Sequence, residues 1–361
     1  MSSTNMEAEN SRPKSNEVQR PSGKEPTQQF PAITRLSANP SILDSLGAFL
    51  TSVGLSRSEN TARSYKNALS AFAECLEQNG TDLSSPVSQL DETPVSWFAS
   101  FLKPYSPATE SLYLTAASVY YEYLAAEDLA AINLPRVRLL IKRRARRQGV
   151  RLPQFSKTNI EKVLEYAENL ASGSSKDEAQ HLRKLRDRAF LICLADTGLR
   201  VHEACRLRRG DVDWFEQRAV IIGKGDQQAV VRFSRRAMAA LRDYQTARQE
   251  LDGASGRPLA SLPLFSRHDR GAGKKIKPIS TATGRNIVSL HVRKSLGPEA
   301  VGSITPHSFR HYFVTAVLQG SGGNLKLAQK LARHQNIAVT QRYAHLSDDE
   351  LDQGYAEIFN E

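Results

Sequence analysis

The sequence predicts a mainly α-helical protein with a small antiparallel sheet, an α+β fold in which an N-terminal helical domain precedes a mostly helical second domain. Three observations predict this fold class. Apolar residues recur at helical spacing along most of the chain after residue 40. Between residues 214 and 233 the spacing changes to two, which is typical of strands. The length of 361 residues favours two domains and a tail over one core.

The first 40 residues are predicted to be a disordered tail. Residues 1–40 are rich in Ser, Asn, Gln, Glu and Pro and contain few large apolar residues. Because such a segment cannot bury enough apolar surface to offset the entropy of ordering, we assign it no structure and no chemistry.

Residues 41–140 are predicted to form the small helical domain. One helical face carries an apolar stripe at i, i+4, i+7 and i+11, formed by Tyr65, Leu69, Phe72 and Leu76. We interpret the aromatic residues of this domain as core, with base stacking as the open alternative. The other face of the same helix carries Arg63 and Lys66, which contact either phosphates or solvent.

A basic linker is predicted at residues 141–151, between the two domains. It belongs to a run over residues 135–151 that has eight positive charges and no acid. A basic run is commonly a solvated face, but one that joins two folded domains is well placed for sequence-independent phosphate contacts. The candidate DNA-binding residues of this linker are Lys142, Arg143, Arg144, Arg146 and Arg147.

Composition narrows the class of protein. The formal net charge of +11 and the pI near 9.6 favour a polyanionic partner, although many soluble proteins are basic for other reasons. The three cysteines are far apart and lack Cys-x-x-Cys spacing, which argues against a disulfide scaffold or a thiolate metal site. The sequence has neither an apolar run of roughly 18 residues nor an apolar signal core, so we expect a cytoplasmic protein without membrane contact.

Residues 152–361 are predicted to form the second domain, and two of its turns carry candidate site residues. After a helix ending near Gly198, Arg200 and Glu203 share a face of the next helix, so the carboxylate can hold the guanidinium. A surface pair without function is the alternative interpretation. The two predicted strands, residues 219–222 and 229–233, form a hairpin with Lys224 near its tip; the spacing is not that of a Walker P-loop.

A phosphate-binding pattern begins at residue 305. Pro306 suits the first turn of a helix. His307, Arg310 and His311 then fall at i, i+3 and i+4, so their side chains leave one helical face. A guanidinium supplies permanent charge in a planar fork, and an imidazole exchanges a proton near neutral pH.

This pattern resembles the C-terminal signature of the tyrosine recombinases, the family of phage integrases and Xer-type recombinases. The signature is His-x-x-Arg, a further His or Trp, and a nucleophilic Tyr nine residues after it; His307, Arg310, His334 and Tyr343 match. The Thr-Gly-Leu-Arg setting of Arg200, with Glu203 three residues later, and the hairpin Lys224 also match the family. By the same resemblance, residues 41–140 are similar, more loosely, to the core-binding domain, and 152–361 to the catalytic domain.

One departure from the family pattern falls beside His334. The family usually has Leu-Gly-His where this chain has Ala332-Arg333-His334. Arg333 therefore puts a bulky charge where a glycine normally allows close packing.

The resemblance implies a reaction and roles for these residues. Arg200 and Arg310 clamp the non-bridging oxygens of a phosphodiester, and Tyr343 attacks the phosphorus to form a 3′-phosphotyrosine. Lys224 protonates the departing 5′-oxygen. His307 takes the tyrosine proton or helps to position the phosphate, and His334 bonds a phosphate oxygen. This chemistry needs no cofactor and no metal.

The resemblance also implies the partners. They are double-stranded DNA with specific inverted-repeat sites and further copies of the chain, assembled as a tetrameric synapse. A second recombinase or an accessory protein is a further possible partner.

A short C-terminal helix with one apolar face at Leu351, Tyr355, Ile358 and Phe359 is expected to dock on a neighbouring protomer or on its own domain.

Three other functions are alternatives to DNA recombination. A zinc hydrolase would use His307 and His311, but residue 308 is Ser where the Glu base is needed. A type IB topoisomerase uses similar groups, but the spacing here resembles the integrase branch. A catalytically weak DNA-binding accessory protein of recombinase descent would be expected to lose one of the six positions, and all six are present. The sequence therefore predicts a site-specific DNA recombinase acting in integration and excision, transposon resolution or dimer resolution.

Overall fold

A computed structural model describes residues 30, 36, 37, 39–146, 156–223, 228–269, 271 and 275–341. The chain divides into two compact units, residues 1–150 and 151–361. The predicted tail, residues 1–40, lies almost entirely outside the described residues and stays a prediction.

The first unit is helical. Ser41, Ser58 and Ser106 begin three of its helices, because each side chain accepts a hydrogen bond from a backbone N–H of the first turn. The helices are α1 (Ile42–Ser56), α2 (Glu59–Gln78), α3 (Thr93–Phe101), α4 (Pro107–Ala126) and α5 (Leu134–Arg144).

Aromatic rings fill the core of the first unit. Phe72 packs edge to face against Phe98 and Tyr120, and all three side chains are fully buried. The Tyr120 hydroxyl is 2.5 Å from the hydroxyl of Ser45 on α1, so the buried polar atom has a partner. These rings are core residues and are out of reach of DNA bases.

The structure changes the interpretation of the basic run. Residues 141–144, predicted as linker, form the last turn of α5, which packs on the first unit through the buried Val137. Arg146 also belongs to this unit: its guanidinium bonds the buried carboxylate of Glu110 and the carbonyl of Tyr105. Sequence could not show this, because Glu110 is distant along the chain. Of the predicted linker, 147–151 lie outside the described residues.

The second unit is mostly helical with one small sheet. Its helices are α6 (Lys157–Glu168), α7 (Glu178–Thr197), α8 (Val201–Arg206), α9 (Arg235–Ala247), α10 (Gln249–Gly253), α11 (Thr281–Leu296), α12 (Pro306–Gly320), α13 (Leu325–Ala332) and α14 (Ile337–Gln341). Helix α7 carries the long apolar run of the unit and packs against α6, α9 and α12. No helix among the described residues is both long enough and apolar enough to cross a membrane.

The sheet is antiparallel in the order β1 (Val212–Asp213), β2 (Arg218–Ile222) and β3 (Gln228–Arg232). Ala219 faces Val231 across the hairpin, and both are buried, whereas the neighbouring pair Val220 and Val230 is exposed. This alternation is the period of two that predicted the strands. The predicted fold class, mainly α with a small antiparallel sheet, is confirmed.

Candidate active site

The site is built on the turn that follows α7. Gly198 ends that helix with φ +59°, the left-handed conformation that glycine adopts without strain. A Cβ atom on Gly198 would lie 2.4 Å from Cδ1 of Phe313 on α12. Glycine is thus required twice, by the backbone angle and by the close approach of α12.

Arg200 lies just beyond this turn and is held by Glu203. The Glu203 carboxylate accepts the Arg200 backbone N–H at 2.8 Å and its Nη1–H at 2.9 Å. Glu203 is 4 % exposed, whereas the Arg200 side chain is 42 % exposed. The predicted pairing is therefore present, and it differs from a solvated surface pair because its acid is buried.

Glu203 stays ionised at neutral pH. Burial raises the pKa of its carboxyl, but the Arg200 backbone N–H and the Arg333 and Arg200 guanidiniums outweigh burial and lower the pKa below its ordinary value. A buried carboxylate that keeps its charge is a firm support for the Arg200 guanidinium.

Arg310 approaches the same turn from α12. The helix begins at Pro306, and Phe309 and Arg310 are both buried. Arg310 is 3 % exposed; it donates from Nη1 to the Gly198 carbonyl at 2.5 Å and from Nη2 to the Ala332 carbonyl. One guanidinium thus joins the ends of α7 and α13.

His307 and His311 leave the same face of α12, as predicted. Their rings pack edge to face with centroids 4.1 Å apart. Burial lowers the pKa of His307 from its ordinary value of 6.5, and the Arg310 and Arg200 guanidiniums lower it further. Burial, His307, Arg310 and His334 together lower the pKa of His311 to about 4. Both imidazoles are neutral at pH 7.

His334 lies two residues beyond α13, and hydrogen bonds hold both its backbone and its side chain. Its backbone N–H donates to the Gln329 carbonyl at 3.0 Å, and Nδ1 is 2.9 Å from Oγ1 of the buried Thr340 on α14. Burial and then the neighbouring arginines, Arg310 and Arg200 foremost, lower its pKa to about 4. The ring is therefore neutral and held in one orientation.

Four of the six predicted catalytic residues converge in the second unit. Arg200 and Arg310 meet at the Gly198 turn, and both guanidiniums act on the pKa values of His307 and His334. Two fixed cations beside two neutral imidazoles form a site suited to a phosphate group.

Lys224 and Tyr343 lie outside the described residues. Lys224 lies in the sequence between β2, which is described to Ile222, and β3, which is described from Gln228. Helix α14 is described as far as Gln341, two positions before Tyr343. The placement of both side chains stays a prediction.

The geometry disfavours the zinc interpretation of His307 and His311. The Arg310 guanidinium acts electrostatically on both imidazoles and that of Arg200 acts on His307, and both positive charges repel a divalent cation. Within the described ranges no group of three or more His, Cys, Asp or Glu side chains is arranged to hold a metal ion.

The candidate DNA-binding residues of the first unit differ in their surroundings. Lys66, Lys142 and Arg143 are exposed. Arg63 is exposed and bonds Glu59 at 2.8 Å, a surface pair that a phosphate replaces at small cost. Arg146, by contrast, neutralises a buried acid.

Arg144 and Arg147 complete that set. Arg144 is exposed and donates to the Ser96 carbonyl at 3.4 Å, a long contact that leaves its side chain at the surface. Arg147 lies outside the described residues.

Sequence reasoning missed three supports of the site. Thr340, which orients His334, belongs to no motif, and the Gly198 and Ala332 carbonyls that fix Arg310 have no side-chain signal. Arg333 was noted only as a departure from the family pattern. The sequence signal was the arginine in place of the usual glycine, and the structure adds that its backbone has φ +57°, a conformation suited to glycine.

A model of the phage integrase family matches residues 154–350. The tyrosine recombinase XerC of Pediococcus pentosaceus is 29 % identical over 306 residues, which cover 84 % of this chain and 92 % of the relative. XerC of Staphylococcus aureus is 28 % identical over 311 residues, covering 85 % and 94 %.

Two solved structures share the fold. XerH, a site-specific recombinase bound to a palindromic difH substrate after cleavage, has a TM-score of 0.61 at 18 % identity, covering 83 % of this chain and 80 % of its own. The Tn1549 transposon integrase, in complex with transposon right end DNA, has a TM-score of 0.59 at 18 % identity, covering 89 % and 100 %. At this identity the likeness concerns the fold.

Proposed function

The chain belongs to the phage integrase family, the tyrosine recombinases that break and rejoin DNA, and we propose that it exchanges DNA strands at specific sites through a covalent 3′-phosphotyrosine formed by Tyr343. The observation that carries this proposal is the convergence of Arg200, Arg310, His307 and His334 around the Gly198 turn.

The proposed cleavage is an in-line displacement at phosphorus. The Tyr343 oxygen forms a bond to phosphorus while the bond from phosphorus to the 5′-oxygen breaks. Arg200 and Arg310 bind the non-bridging oxygens, whose negative charge grows in the transition state. The Tyr343 proton passes to His307, Lys224 protonates the leaving 5′-oxygen, and His334 bonds a phosphate oxygen.

Rejoining reverses these steps with a second strand. A 5′-hydroxyl from another duplex attacks the phosphotyrosine and releases Tyr343. The ester keeps the energy of the original linkage, so the exchange needs no nucleotide.

The partner in this proposal is double-stranded DNA. The net charge of +11 and the exposed Lys66, Lys142 and Arg143 of the first unit supply sequence-independent phosphate contacts. The palindromic substrate of XerH supports inverted-repeat sites. In the proposed assembly two copies of this chain bind each site and four form a synapse.

Adduct trapping tests the function. Duplexes that the wild-type protein selects from a random library are rebuilt with a nick placed a few nucleotides 3′ of each position in turn. Cleavage then releases a short 5′-hydroxyl fragment that diffuses away, and the protein stays on the DNA. We expect a covalent complex on a denaturing gel. Tight binding without any adduct would instead fit the accessory-protein alternative.

The pH dependence of cleavage follows from the His307 pKa. If His307 is the base, its neutral form is required, and a pKa lowered from its ordinary value of 6.5 keeps most of the imidazole neutral from pH 8 down to about 7. We expect the second-order rate constant for adduct formation to be flat over that range and to fall as the pH decreases further. The constant is measured with subsaturating DNA, which reports groups of the free protein. A plateau that ended above pH 7 would contradict the assignment.

Substitutions in the C-terminal segment test whether protomers associate on DNA. Residues 342–361 lie outside the described residues, and their sequence predicts the helix with an apolar face described above. We expect Leu351→Ala with Phe359→Ala to keep single-site binding and to reduce cooperative binding to paired sites, because the lost face docks on a neighbouring protomer. Electrophoretic mobility shifts on single and paired sites measure both.

Its matched control is Gln353→Ala with Asn360→Ala, which changes the opposite face of the same predicted helix. This pair should bind both kinds of site like wild type. If the apolar pair instead melts earlier as a monomer and loses single-site binding, the helix packs on its own domain.

A further inference from the structure

Arg333 adopts a backbone conformation that disfavours an arginine. It ends α13 with φ +57° and ψ +44°, the left-handed region that glycine and asparagine enter most easily. Its Nε–H, which solvent does not reach, has no acceptor among the described residues. Both features destabilise the fold, and such features persist where the side chain supplies something in return.

The guanidinium of Arg333 contacts the Gly198 turn. The side chain is 10 % exposed. Its Nη2 lies 3.1 Å from the Gly198 carbonyl oxygen and 3.1 Å from Oε2 of Glu203, and its Nη1 is 3.4 Å from the Thr197 carbonyl oxygen. The two carbonyls lie on the segment that leads from α7 to Arg200, and Glu203 lies on α8, just after Arg200.

Glu203 is consequently held from two sides. Its Oε1 accepts from the Arg200 guanidinium, whereas its Oε2 accepts from both the Arg200 backbone N–H and Arg333. Without Arg333, Oε2 would keep only the backbone N–H, and the carboxylate that aims Arg200 would have more freedom to rotate.

Arg333 also shares an acceptor with Arg310. Both guanidiniums donate to the Gly198 carbonyl, so one oxygen atom ties Arg310 to the support of Arg200. Arg333 matches none of the family's six catalytic positions, and its guanidinium is directed toward Glu203 and the Gly198 carbonyl.

We propose that Arg333 is a positioning residue for Arg200, acting through Glu203 and the Gly198 carbonyl to hold the Arg200 guanidinium where it binds the scissile phosphate. The proposal rests on the proposed recombinase function. Arg333 itself does not touch the reacting atoms. The role comes from the arginine that this chain has where the family usually has glycine.

Substitutions that suit the backbone test this role. Arg333→Gly and Arg333→Asn accept a positive φ and do not reach Glu203, whereas alanine would add strain of its own. We expect both variants to keep the melting temperature and the DNA affinity and to form the covalent adduct about 10- to 100-fold more slowly, the effect of misplacing a phosphate-binding group. The probe is the nicked duplex chosen by the wild-type protein. Arg333→Lys, which keeps the charge and can reach Glu203, should recover part of the rate.

A second background separates positioning from general stability. If Arg333 acts through Arg200, Arg333→Gly should slow adduct formation much less in the Arg200→Lys background than in the wild-type background. The geometry that Arg333 maintains is already lost in Arg200→Lys. An equal cost in both backgrounds, a wild-type rate in both single variants, or a rate that falls only in step with the melting temperature would overturn the inference. Adduct formation by the wild-type protein keeps the function intact in each of those cases. Its failure would overturn the function and this inference together.

Discussion

Replacing Tyr343 with phenylalanine is expected to abolish the covalent protein–DNA adduct while leaving DNA affinity unchanged. Only the phenolic oxygen can become the ester, and phenylalanine keeps the aromatic ring while removing that oxygen. The nicked duplex resolved on a denaturing gel measures the adduct, and a mobility shift of the intact duplex measures affinity.

Tyr355→Phe is the matched control, because it removes a phenolic hydroxyl from the same C-terminal segment. It should form the adduct at the wild-type rate. An adduct that persists in Tyr343→Phe and disappears in Tyr355→Phe would place the nucleophile at the second tyrosine. Persistence in both variants would place it outside this segment.

Local patterns predicted those parts of the fold in which neighbours along the chain decide the structure. The stripe that ends at Phe72 and Leu76 lies in the core because a helix brings its members to one face. The hairpin formed where the spacing changes to two because strands place alternate residues on opposite faces. Both results depend on spacing alone.

The basic run shows where local reasoning ends. Charge density predicted a linker, yet residues 141–144 are helical and Arg146 neutralises the buried Glu110. Nothing near Arg146 in the sequence reveals that partner, because tertiary packing brings it there. The prediction of DNA contact therefore depends more on Lys142 and Arg143 than on Arg146.

Spacing along the sequence likewise predicted some features of the candidate site and missed others. Spacing predicted that His307, Arg310 and His311 share a face, and the i, i+3 relation predicted the bond from Arg200 to Glu203. Spacing did not predict that Arg310 would be buried against the Gly198 carbonyl, because that contact joins two helices far apart in sequence.

For Arg333, the sequence identified an unusual position but not its contacts. Comparison with the family pattern identified the position as unusual. The structure adds that the left-handed backbone is kept with an arginine in place and that the guanidinium reaches Glu203.

Lys224→Ala is expected to slow cleavage by about 10²- to 10⁴-fold, the usual contribution of a positioned proton donor. The leaving 5′-oxygen is a strongly basic alkoxide unless a proton reaches it as the bond to phosphorus breaks. Lys224, in the predicted turn between β2 and β3, is the proposed donor. The single-turnover rate of adduct formation measures the loss.

A bridging 5′-phosphorothiolate distinguishes proton donation from phosphate binding. A thiolate is a much weaker base than an alkoxide and leaves without a proton, so the sulfur substrate should restore most of the rate lost in Lys224→Ala. Arg232→Ala, the matched control, removes an exposed positive charge from β3 of the same hairpin, and sulfur should not restore any rate that it loses. Rescue confined to Lys224→Ala identifies the general acid. Equal loss on oxygen and sulfur substrates would mean that Lys224 only binds the phosphate or the groove, and the proton would have to come from another residue.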